Sequence, residues 1–253
     1  MTVKGAYENI LRELRKAKAP SLHLEDYNYW INKGIQEYIN ERYNKFQMSQ
    51  QITDDLSALI APDTFVISGL TGYYTSNPTN IINIAVGKRY SSDFIKFPAP
   101  VNYWHMIGSN VTTATKFPYK CYPKGHEDNK PSKNLPANVA NGIMDNAYLK
   151  PSASRIFHSF SDGTGLNTNP DLTFFYGDSS KYSVKEVNVD YLRKPQNVNL
   201  TINQRDLPVD TSAVMEFTDY VCNEIIKRTV KLILESNSDP RLNTHVQVNQ
   251  STT

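Results

Sequence analysis

The chain has 253 residues, of which 39% are hydrophobic and 21% charged, with a formal net charge of +2. That length suits one large domain or two small ones, and the near-neutral charge excludes a nucleic-acid wrapper that works by bulk charge alone. No apolar run approaches the roughly 18 residues of a membrane span, and the charged, amphipathic N-terminus lacks the apolar core of a signal peptide.

Residues 3 to 17 carry an apolar stripe at Val3, Tyr7, Ile10, Leu11 and Leu14, which predicts a first helix stopped by Pro20. A second helix is predicted over residues 22 to 47, with Ser21 placed to cap it. Tyr27, Ile31, Ile35, Tyr38, Arg42 (by its stem only) and Phe46 recur there at steps of three and four. Asn28, Lys33, Glu37, Glu41 and Lys45 take much of the other side. One helix cannot bury such a stripe alone. Its expected partner is a C-terminal helix over residues 211 to 236, capped by Thr211, with Val214, Met215, Val221, Ile225, Leu232 and Ile233 on one side. Between the two, Thr53-Asp54-Asp55 reads as the cap of a short helix running through Leu59 and Ile60.

From residue 64 the periodicity changes. Thr64 to Ile67, Ile81 to Val86 and Val101 to Ile107 are β-branched and aromatic runs punctuated by Gly, Pro and Asn, and each predicts a strand. Residues 116 to 142 hold four prolines and no periodicity, which predicts a long loop acting as an exposed arm toward a neighbouring subunit. Residues 144 to 149 suit a short strand. Leu172 to Tyr176 and Tyr182 to Leu192 suit a hairpin turned by residues 177 to 180. In the second of these, Val184 faces one way and Val187, Val189 and Tyr191 the other. The expected fold class is α+β, a bundle of N- and C-terminal helices with an inserted antiparallel β-rich layer. Its parts are residues 1 to 60 and 206 to 240 as the bundle, 61 to 205 as the insertion, and 241 to 253 as an extended tail.

Few residues of the chain fall into a chemically informative pattern. Cys121 and Cys222 lie far apart without C-x-x-C spacing, so both read as reduced thiols. Of five histidines only His126 neighbours further ligand types, Glu127 and Asp128, and without a fourth anchor the trio reads as a solvated turn. Gly163-Thr164-Gly165 lacks the lysine and the helix of a phosphate loop. Asp54-Asp55 are adjacent and point apart on a helix, which suits a cap better than an acid–base dyad. The expectation is no enzyme, no metal and no cofactor. Lys88-Arg89 and Arg193-Lys194 are solvated charges that meet DNA phosphates only if they line a channel.

Two segments carry a resemblance. PSLHLEDYNYWINKGIQEYINERYN with the following TDDL, and YLRKPQNVNLT with MEFTDYVCNEIIKRTVKLILESNSDPRL, resemble the ring proteins of the head-to-tail connector in crAss-like tailed bacteriophages. The plan is similar, more loosely, to the adaptors of short-tailed phages. The resemblance covers about residues 3 to 60 and 187 to 243. It implies a structural virion protein of the portal and tail region, assembled in the host cytoplasm as a ring of commonly twelve copies. Its partners would be the portal, adjacent connector rings and tail proteins, with double-stranded DNA passing through the channel, no membrane and no catalytic residue. Arg241, His245, Val246 and Val248 of the tail, and Lys124 and His126 of the loop, are the expected partner-binding residues. The alternative expectation is a carbohydrate-binding or tail-fibre-associated β module with a helical anchor, whose tyrosines and Trp104 stack on sugars.

Overall fold

A computed structural model describes residues 1–16, 22–45, 50–89, 92–118, 123–136, 140–146, 148–161, 170–201 and 213–236. The helices are α1 (Val3–Lys16), α2 (Leu24–Tyr43), α3 (Gln50–Asp55), α4 (Ala140–Asp145) and α5 (Asp219–Ser236). The strands are β1 (Ile60–Ser68), β2 (Thr71–Tyr74), β3 (Asn77–Asn83), β4 (Ala85–Arg89), β5 (Ser92–Pro98), β6 (Tyr103–Thr115), β7 (Glu127–Asn134), β8 (Ile156–Ser161), β9 (Asp171–Gly177) and β10 (Tyr182–Arg193). Two compact units result, residues 1–59 with 195–253, and residues 60–194.

In the helical unit, Tyr27, Ile31, Ile35, Tyr38 and Ile39 of α2 are fully buried, as the three-and-four spacing requires. Helix α5 packs on both α1 and α2. Gly34 of α2 lies directly against Thr229 of α5. A Cβ there would lie 2.2 Å from Thr229 Oγ1, so only glycine admits this crossing. The Tyr38 ring lies under the Arg42 and Arg228 guanidiniums, 5.3 and 5.8 Å from the ring centre. Its hydroxyl donates to Asp55 Oδ2 at 3.2 Å, and burial pushes its pKa up to about 12.

Several helix ends differ from expectation. Helix α2 stops at Tyr43 and is preceded by His23, whose side chain makes no cap bond; Ser21 and Phe46 lie outside the described residues. Asp54 and Asp55 end a helix, α3, and the short helix expected after them is a single 3₁₀ turn, Ser57–Leu59, with Ile60 already in β1. Helix α5 begins at Asp219. The stretch before it is drawn out by an antiparallel bridge between Thr2 and Val214, with Val3 N donating to Ala213 O at 3.0 Å. Thr211 lies outside the described residues.

The β unit is one ten-stranded sheet in the order β3-β2-β1-β10-β6-β7-β8-β9-β5-β4. Its two edge strands are consecutive in the chain, joined only by Ile84, so the sheet curls nearly into a closed barrel. Ile84 is buried, and its N–H donates to Leu70 O at 2.9 Å. Residues from distant strands therefore meet inside. Phe65 of β1 stacks on Phe97 of β5 with ring centres 4.1 Å apart, and Phe97 stacks on Phe174 of β9 at 5.6 Å. Fixed aromatic contacts of this kind add to the area term that drives the core.

The expected fold class is thereby corrected. The chain is mostly a large, nearly closed sheet with few helices, not a helical bundle carrying an inserted β layer. The sheet is also not wholly antiparallel, since β7 and β8 run parallel. Strand β7 occupies the middle of the stretch read as a long exposed arm. Its sequence EDNKPSKN offers no apolar alternation, and its ladder to β8 starts only at Ser132, just past Pro131. Residues 140–145 are helical where a strand was expected to begin at 144. Strands β9 and β10 do not pair with each other. Strand β9 lies between β8 and β5, and β10 between β1 and β6. In β10 a register shift between Val184 and Glu186 brings Val184 into the same core as Val187, Val189 and Tyr191, so the expected alternation fails at that bulge.

Candidate functional site

Two features of the β unit stand out on its surface. The first is a cleft of about 560 Å³ at the barrel mouth. The ends of β6 and β9, the starts of β7 and β10, and the β4–β5 pair converge there. Lys88 and Asp93 come from register partners on β4 and β5. Thr113 and Thr115 end β6, and the turn at Pro151 to Ser154 closes one wall. That turn is seated against Gly177, where φ is +97° and a Cβ would meet Ser152 Cα at 2.8 Å.

The polar groups of the cleft are unevenly partnered. Asp178 pairs with Lys181 at 3.4 Å, and Asp128 with Lys130 at 3.0 Å. The Ser180 hydroxyl and N–H hold the Asp178 carboxyl below its ordinary pKa. Asp93 Oδ2 accepts from Ser179 N at 2.7 Å. Thr115 Oγ1 donates to Pro123 O at 2.7 Å and accepts from His126 N at 3.1 Å. Lys88 and Lys150 have no ion-pair partner among the described residues.

The second feature is apolar. The stretch that closes the barrel exposes Leu70 (63%), Tyr73 (36%), Ile81 (73%) and Val86 (50%). Tyr74 and Ile82 take the core side of β2 and β3, so Tyr73 and Ile81 face outward. Strand β3 pairs only with β2, and β4 only with β5, so the backbone edges of both are open among the described residues.

A third feature, a polar group, lies in the interior. Ser109 of β6, Ser132 of β7 and His158 of β8 form a hydrogen-bonded chain across three neighbouring strands, with Ser132 Oγ 2.7 Å from His158 Nδ1. His158 is buried beside Phe160 and Phe174, and burial lowers its pKa to about 4. The ring is therefore neutral near pH 7. Packed against the core, it bonds Ser132, which in turn bonds Ser109, and it does not line the mouth cleft.

Of the residues expected to bind partners, His126 lines the mouth cleft and Lys124 is exposed in the turn before β7. Arg241, His245, Val246 and Val248 lie outside the described residues, as do Cys121 and the Gly163–Gly165 turn. Cys222 is a free, buried thiol. No group of three or more potential metal ligands occurs among the described residues. No described helix is long and apolar enough to cross a membrane. That Lys88 of β4 and the Pro151–Ser154 turn line one cleft was not legible in sequence, because residues far apart in the chain are brought to one place only by strand order. No known protein-family model matches the chain, and no curated protein matches it.

Proposed function

We propose that this chain is a structural virion subunit that assembles with copies of itself into a ring of the phage head-to-tail connector, docking on the portal or a neighbouring ring. The observation that supports self-assembly is the exposed apolar stretch Leu70–Val86, whose Ile81 and Val86 lie on the two edge strands β3 and β4. A side chain such as Ile81, 73% exposed on an edge strand, is a liability in a monomer and a contact in an assembly. The occupant is a second copy of this chain, because closed rings repeat one interface around an axis. The place in a connector is supported by the resemblance of the two terminal segments, and the genome would pass through the channel as non-specific double-stranded DNA. Purified protein mixed with its portal is expected to give closed rings in electron micrographs. Monomers that persist with the portal present would overturn this function.

A further inference from the structure

We infer that the mouth of the β unit is a binding site for an acidic saccharide, a hydroxyl-rich ligand bearing a carboxylate. The site does not depend on the ring assignment, since none of its lining residues belongs to the exposed apolar stretch Leu70–Val86 or to the two terminal segments that support that assignment.

The walls select the ligand by what they can and cannot repay. Apolar lining is confined to Pro151, Ala153 and the ring of Tyr182, too little buried area to retain a lipophilic molecule. Affinity must come from hydrogen bonds. Ser152 and Ser154, whose hydroxyls are 3.2 Å apart, offer donors and acceptors together, and Asp93 offers a further acceptor. A polyol matches such a mixed set, because each of its hydroxyls both gives and takes a proton. Three aspartates on the same walls disfavour a multiply charged polyanion such as a nucleic-acid backbone. Two of the three already hold lysine partners. The ammoniums of Lys88 and Lys150 hold none among the described residues, so a single carboxylate on the ligand completes the charge. Tyr182, half-buried at the rim, supplies a face for a sugar ring.

The test titrates the full chain with galacturonate, which bears one carboxylate, with neutral galactose and with inorganic phosphate, reading Kd by calorimetry. Galacturonate is expected to bind about tenfold more tightly than galactose, and phosphate to bind more weakly than either. The Lys88→Ala/Lys150→Ala variant should lose that tenfold preference while thermal unfolding and circular dichroism stay unchanged. Ser152→Ala/Ser154→Ala should weaken both sugars alike. Equal binding of the two sugars, phosphate binding as tightly as galacturonate, or galacturonate binding untouched by the lysine variant would each overturn the assignment.

Discussion

Asn32 and Val198 exchange two hydrogen bonds of 2.8 Å each, Val198 N donating to Asn32 Oδ1 and Asn32 Nδ2 to Val198 O. A side-chain amide thus pairs with a backbone as a strand neighbour would. One turn earlier, Asn28 does the same for Leu200, at 2.8 and 3.0 Å. The two spacings match. Four helical residues rise about 6 Å, and two extended residues span roughly 6.6 Å. The extended segment is held in place and buries Val198 and Leu200.

Asn32→Ala strips the backbone N–H and C=O of Val198 of these partners. Leaving such groups unpaired in a half-buried place costs about 1–3 kcal/mol. Urea unfolding should show a loss of that size, with faster amide exchange at Val198 and Leu200. A loss confined to a few tenths of a kcal/mol would mean that water replaces the amide and that the pairing contributes little.

Gly34→Ala sets helix propensity against packing. Alanine gains roughly 1 kcal/mol over glycine in a helix interior. The new methyl meets Thr229 Oγ1 at 2.2 Å, however, in a fully buried place. Overpacking of this kind costs about 1–3 kcal/mol, so a net destabilisation is expected. Thr229→Ala in the same chain removes the clashing hydroxyl, and the double variant should be more stable than the sum of the singles predicts. Strict additivity would show that the two residues do not meet.

His158 makes stability depend on pH. Its pKa is about 4 in the folded chain against an ordinary 6.5, so between those values the unfolded state binds more protons. The contribution is fully present above pH 6.5 and is lost as pH falls toward 4. The loss amounts to about 3 kcal/mol. Chemical denaturation at pH 7.5, 5.5 and 4.5 measures it. His158→Gln should be less stable at pH 7.5 and should flatten that part of the profile. An unchanged profile in the variant would assign the acid sensitivity elsewhere.

The helices were the more legible part of the fold. Spacing alone located α1 and the buried face of α2, because an amphipathic helix writes its burial into its period. Asn28, however, was placed only on the side away from the apolar stripe, and its hold on Leu200 depends on a residue 172 positions away. Strands β1, β9 and β10 lie where β-branched and aromatic runs occur. Strand order was not legible, since nothing local tells β9 to pair with β5 and β8 in preference to β10. Strand β7 was hidden by its polar sequence, and the Val184 bulge by the assumption of unbroken alternation. The weight of the fold therefore shifted from helices to sheet. In the candidate site His126 was visible as a polar cluster, whereas Lys88 and the serine turn became neighbours only through the barrel.

Assembly through the closing stretch is tested most directly by native mass spectrometry of the wild-type chain and of Ile81→Asp. Ile81 faces outward and takes no part in the core, so the variant should fold with unchanged circular dichroism. With portal present, the wild type is expected to give a single closed oligomer, and Ile81→Asp to remain monomeric, since a carboxylate buried at an interface without a partner is strongly unfavourable. A variant that assembles as readily as the wild type, or a wild type that stays monomeric, would contradict the assignment of this face to contact between copies.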